Sequence, residues 1–159
     1  MNALLYRLLE TQSSYTQLIA RVVLGVVIFP HGAQKILGIW GGHGLQAVID
    51  SFNQWFGIPN FITVLVALGE FVGSIFLIIG FFSRFAAASI ILIMLGAIYY
   101  VVNDHFFMNW YSEQRGEGFE FHLLAIGLAI IVLLNGSGKF SIDNFLVKFL
   151  KKDSLRISQ

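Results

Sequence analysis

Residues 60–82 read NFITVLVALGEFVGSIFLIIGFF, and this stretch decides the fold class. A helix of this length is long enough to cross a hydrocarbon core, which takes roughly 20 residues. Fifteen of its residues are Leu, Ile, Val or Phe. Each favours insertion by about 0.3–0.6 kcal/mol near mid-membrane, roughly 7 kcal/mol together. Its one carboxyl, Glu70, costs only a few kcal/mol on the same scale, so the segment inserts with the acid aboard.

Three more apolar stretches of similar length flank it, at 16–37, 85–102 and 119–136. The whole chain of 159 residues is 57% hydrophobic and 12% charged, with a mean hydropathy of +0.76. Soluble domains carry roughly 25% charged residues, and one this small has too much surface to hide so much apolar material. The expected fold is therefore all-α and integral to the membrane, one domain over 1–159 built as a four-transmembrane-helix bundle. The first span is the most marginal. It has eleven Leu, Ile, Val and Phe residues but also Arg21, Pro30, His31, Gln34 and Lys35, so it needs partner helices on its polar side. Residues 1–15 show no cleavable signal pattern, and the first span is read as retained. A net charge of +1 argues against nucleic acid as a partner. The absence of cysteine removes disulfides, thiolate chemistry, Cys-ligated zinc and iron–sulfur clusters, and leaves redox chemistry on a bound molecule open.

Orientation follows from the basic residues. With four spans, both termini and the turn at Arg84 share one side, which carries Arg7, Arg21, Arg84, Lys139, Lys148, Lys151, Lys152 and Arg156. The other side has Lys35 and Arg115. The positive-inside rule places both termini in the cytoplasm; the expected location is a prokaryotic cytoplasmic (inner) membrane. The segments between spans also favour membrane lipids. Residues 141–152 and 45–56 carry apolar stripes at helical spacing and read as interfacial helices, and Leu4, Leu5, Leu8 and Leu9 suggest a shorter one. The loop with Phe106, Phe107, Trp110 and Tyr111 has the composition of an aromatic belt. Gly69 and Gly73, Ala125 and Ala129, and Ala86 to Ala88 allow close helix approach.

Ionisable residues inside a bilayer are costly and mark function by default. Arg21, His31 and Lys35 fall within an arc of about 80° on the first helix, Arg21 near its inner end and the other two in its outer half. Glu70 sits at mid-depth, with His31 and Lys35 as candidate partners. Tyr99, Tyr100 and Asn103 close the third span, and Glu120 and His122 open the fourth. Those last two are two residues apart, so at most one faces the bundle centre squarely. His31, Lys35, Glu70, Tyr99 or Tyr100, Asn103 and Glu120 together describe a polar pocket in the outer half of the bundle, with the 45–56 segment covering its mouth; Arg21 alone lies toward the inside. Simpler roles exist for each: Arg21 and Lys35 as interfacial anchors, Glu70 as a neutral hydrogen bonder between helices, one tyrosine as a belt residue. No HxxxH, HExxH or Glu-x-x-His spacing is present, so haem or metal is disfavoured and no metal ligand is assigned.

These residues resemble the DoxX family of small four-span membrane proteins. Arg21, Gly25, His31, Gly32 and Lys35 match its first-helix pattern, and Glu70, Gly73, Gly80 and Arg84 its second helix and turn. Met94 and Ala97 fit the third helix, Gly118 and Glu120 the opening of the fourth, and Gly136, Gly138, Ser141 and Asp143 its ending. The family includes the membrane subunit of an archaeal thiosulfate:quinone oxidoreductase. The resemblance favours Arg21, His31, Lys35, Glu70 and Glu120 over His122, Tyr99 and Tyr100. The expectation is a quinone-linked oxidoreductase, or the membrane subunit of one. Glu70 and His31 are its catalytic pair, and Arg21, Lys35, Tyr99, Tyr100, Asn103 and Glu120 bind the substrate. A quinone is the expected redox molecule, with no covalent cofactor. The chain has no nucleotide-binding GxGxxG, so electrons would come from a redox partner subunit or a small molecule; self-association is open. The competing expectation is a non-catalytic scaffold, assembly factor or small-solute permeation protein.

Overall fold

Ser14 sets where the first helix begins: its extended backbone and Oγ, which accepts the Thr16 N–H at 3.1 Å, form an N-cap. From there α1 (Tyr15–Leu37) runs through Pro30 without a break and stops at Gly38, whose φ is +68°. The amphipathic α2 (Leu45–Phe56) follows, then α3 (Asn60–Ile79), α4 (Ser83–Val101), α5 (Glu120–Asn135) and α6 (Ile142–Ile157). The computed structural model describes residues 9–101, 105–111 and 116–157, with side chains through Phe149. Among these residues there are six named helices and no named strand. The short N-terminal helix suggested by Leu4, Leu5 and Leu8, the expected site residue Asn103, and the side chains of Lys151, Lys152 and Arg156 lie outside the described residues.

Helices α1, α3 and α4 are long and apolar enough to cross a membrane; α5 is apolar and shorter. Expected span ends agree within a few residues. The second span was expected to reach residue 82, but α3 ends at Ile79. Gly80, at φ +71°, donates to the Leu77 carbonyl and Phe81 to the Phe76 carbonyl, a Schellman-type stop.

The four long helices form a ring in which α1 touches α3, α3 touches α4, α4 touches α5 and α5 returns to α1. The α1–α3 contact is the closest. A Cβ on Gly25 would stand 2.9 Å from the Ser74 carbonyl oxygen, and one on Gly32 would collide with the backbone of Phe71 and Glu70. These two glycines, one heptad apart, let α1 lie on α3 backbone to backbone. The small residues are used as their spacing suggests. Ala86, Ala87, Ala125 and Ala129 are buried in the core with Leu24, Ile28, Leu77, Ile90, Met94 and Val132, and Gly69 accommodates Ile93.

The bundle has a basic end, where α1 starts, and a loop end, where α1 finishes. At the loop end α2 packs on α3 and more lightly on α1, and its Phe56 ring meets Tyr100 of α4 at 4.9 Å. The 105–111 and 116–119 segments fold onto the start of α5, where the Phe106 carbonyl accepts the Phe119 and Glu120 N–H groups. At the basic end α6 exposes Ile142, Phe145 and Phe149 along one side, the apolar stripe expected for residues 141–152.

Candidate functional site

A seam of heptad-spaced residues runs along α1: Gln17, Arg21, Leu24 and Ile28 are all buried. Its next members are His31, which is exposed, and Lys35, whose side chain is one-fifth exposed. The seam therefore closes at Ile28 and opens toward the loop end. The facing seam of α3 is Thr63, Ala67, Glu70, Ser74 and Leu77, every one buried. Close packing at Gly32 sets the backbone of α1 against that of Glu70. Lys35 Nζ reaches Glu70 Oε2 at 2.5 Å, forming an ion pair in which the Glu70 side chain is 6% exposed. Glu70 stands midway along α3, a helix long and apolar enough to cross a membrane, and an isolated charge inside such a span is costly. Pairing offsets that cost, and Lys35 also lies in the last turn of α1, where the helix dipole favours a cation.

Aromatic rings line the α1–α3 contact and the start of α5. Phe29 stacks on Phe71, the neighbour of Glu70, at 5.6 Å, and Trp40 meets Phe29 edge-on at 6.2 Å. On the α5 side the His31 ring stands 5.6 Å from Phe121, whose other neighbour is the His122 ring at 5.7 Å. His122 lies within electrostatic range of both His31 and Lys35. The structure thus brings together Lys35, Glu70, His31 and His122, a cation–carboxylate pair with two imidazoles beside it and apolar rings around it. Such a set can hold a planar apolar molecule with polar oxygens and exchange protons with it. Among the described residues no group of three His, Asp or Glu side chains could hold a metal ion.

Four other expected site residues go elsewhere. Arg21 is 1% exposed and donates to five backbone carbonyls: Ser137 through Nε at 2.7 Å, Leu77 and Ile78 through Nη1 at 2.8 and 2.6 Å, and Lys139 and Phe140 through Nη2 at 3.2 and 2.7 Å. Every guanidinium N–H is engaged, and it caps the exposed carbonyls at the end of α3. Glu120 accepts the Met108 N–H at 3.1 Å and the Trp110 indole N–H at 3.3 Å, holding the loop over the start of α5. Tyr99 is 75% exposed and points away from the bundle, while Tyr100 packs on Phe56.

Sequence reasoning ranked His122 below Glu120. The signal that separates them is the loop, since the Met108 and Trp110 donors draw Glu120 toward it. Asp143 was read only as part of a motif. It is 1% exposed, and its carboxylate accepts the Phe82 N–H at 2.8 Å and the Ser83 N–H at 3.1 Å, capping α4. Burial nevertheless holds this carboxyl above its ordinary pKa, outweighing the hydrogen bonds that favour the charged form.

Comparison with known proteins adds two findings. The chain is 27% identical over 138 residues to a Bacillus subtilis (strain 168) protein named "Putative oxidoreductase CatD", an alignment spanning 87% of this chain and 92% of that one. No solved structure matches. The DoxX family model matches residues 16–103, from the start of α1 to the end of α4, which takes in Arg21, His31, Lys35 and Glu70. With more than half of its length matched, the chain belongs to the DoxX family of membrane proteins.

Proposed function

We propose that this protein is a membrane oxidoreductase, or the membrane subunit of one, that binds a quinone or a similar small apolar substrate between α1, α3 and α5. The observation that carries the reading is the Lys35–Glu70 ion pair midway along α3, at the point where the α1 seam opens. The oxidoreductase name of the Bacillus subtilis relative supports the reaction class.

Each residue has a defined chemical capacity there. The Lys35 ammonium can turn from Glu70 to a substrate carbonyl oxygen and stabilise negative charge that develops on it. Glu70, then less strongly paired, can carry a proton, and the exposed His31 can exchange one with water. Phe29, Phe71 and Phe121 supply apolar walls. Reducing a quinone to its quinol takes two electrons and two protons. The electrons come from a redox partner, protein or small molecule, and the protons pass through His31 and Glu70.

Mass spectrometry of gently purified protein tests this. A bound quinone in the wild type, lost in both Glu70→Gln and His31→Ala at unchanged expression, is the expected result. Quinone-dependent turnover should disappear in the same two variants. No quinone in the wild type, or equal occupancy in all three proteins, refutes the assignment.

A further inference from the structure

We infer that His122 Nδ1 is a second polar anchor of this site, hydrogen-bonding the oxygen of a planar ligand that lies farther from the Lys35–Glu70 pair. The inference rests on the quinone reading above and adds the α5 residue that recognises the ligand's second oxygen. Its starting observation is an unmade hydrogen bond. His122 Nδ1 is buried and has no hydrogen-bond partner. The Phe119 carbonyl interacts with the ring but lies outside hydrogen-bond geometry for Nδ1, and it accepts the Leu123 N–H at 3.2 Å. Buried polar atoms in proteins nearly always find partners, and one left open beside a site marks a place where a ligand supplies the partner.

Position agrees with this. Farther along α5, Ala125, Ala129 and Val132 are buried in the core, whereas Phe121 and His122 are half-buried where the α1–α5 seam opens. His122 lies in electrostatic range of Lys35 and His31, with Phe121 between the two imidazoles. A ligand beside Phe121 would therefore have the ion pair of α1 and α3 on one side and the His122 ring on the other. The chemistry of Nδ1 suits both oxidation states. In one tautomer it donates to a carbonyl oxygen, and in the other it accepts from a hydroxyl. Lys35 can only donate, so it cannot accept the hydroxyl proton of the reduced form, which Nδ1 can.

The two amide replacements of histidine separate this role from a structural one. Asn places a polar atom where Nδ1 stands, and Gln places one where Nε2 stands. Binding is measured by calorimetry on the full-length protein in nanodiscs, with tetramethylbenzoquinone and with tetramethylphenol, which keeps one oxygen. His122→Asn should bind the quinone within about threefold of wild type, and His122→Gln about tenfold or more weakly, the scale of one lost hydrogen bond. Both variants should bind the phenol within about twofold of wild type, because that ligand already lacks the second oxygen. Equal loss for both ligands, or a quinone affinity unchanged in His122→Gln, overturns the inference while leaving the quinone reading intact. A wild type that binds no quinone refutes both.

Discussion

Lys35 and Glu70 come from helices of opposite direction and meet at 2.5 Å because Gly32 removes the side chain that would hold their backbones apart. The pair and the glycine are one device. A larger residue at position 32 would collide with the backbone of Phe71 and Glu70 and move the ammonium away from the carboxylate.

The ion pair should show strong coupling. Lys35→Met or Glu70→Leu alone leaves an uncompensated charge and should destabilise by about 3 kcal/mol, whereas the double substitution should come within about 1 kcal/mol of wild type. Thermal unfolding of the four proteins in one detergent checks this, and additive losses would show that the two groups do not depend on each other.

Arg21 should tolerate no replacement, lysine included. Lysine offers three donors on a point charge where five carbonyls are arranged around a planar fork. Arg21→Lys should lower stability by more than about 3 kcal/mol, read as a fall in Tm and in monodisperse yield. Quinone affinity of the protein that does fold should stay within about twofold of wild type, since Arg21 holds backbone and not ligand.

Glu120 should prove to be a loop residue. Glu120→Ala frees the Met108 N–H and the Trp110 indole, so proteolysis within residues 105–118 should quicken while quinone affinity is unchanged. A loss of affinity equal to that of Glu70→Gln would return Glu120 to the binding site.

Asp143 gives a pH dependence of known sign. Its pKa in the folded protein is raised above the ordinary 3.8, so between the two values the folded state binds more protons than the unfolded chain. Stability attributable to this group therefore rises as pH falls through the raised pKa, and the gain is complete below the ordinary value. Asp143→Asn cannot titrate and should lack this gain. The difference in Tm between the two proteins should shift in favour of wild type as pH falls through the raised pKa toward 3.8.

The sequence carried the helices and much of the site because both are written in side chains. Apolar runs placed α1, α3 and α4 within a few residues, and depth alone proposed Lys35 and His31 as partners for Glu70. Arg21 was harder. Its partners are the main-chain carbonyls of Leu77, Ile78, Ser137, Lys139 and Phe140, and any residue at those positions would offer the same oxygen. A buried arginine that caps a helix thus looks, in sequence, like one that binds an anion. Glu120 and His122 were hidden for another reason. Helical periodicity separates their faces but does not say which face the loop at 105–111 will claim. Motif glycines read as family pattern became physical only in three dimensions. Gly138, at φ +75°, brings its backbone against Gln17 and the Ser14 carbonyl, where a Cβ would not fit.

Arg84 repeats what Arg21 does. Its Nη1 takes the Leu133 and Leu134 carbonyls at the end of α5, at 2.5 and 2.9 Å. In each case a guanidinium from the first long helix of a pair is fastened to the last carbonyls of the second. The bundle is thus two hairpins, α1–α3 and α4–α5, each carrying its own latch at the basic end. A chain so arranged can enter the bilayer two helices at a time, and the bonds from Arg21 to the Ser137, Lys139 and Phe140 carbonyls beyond α5 then join the two halves. The Lys35–Glu70 pair is complete within the first hairpin, so its charges are matched before the second arrives. His122 comes with the second, which makes a fully furnished site the last event of assembly and a check that both halves have docked.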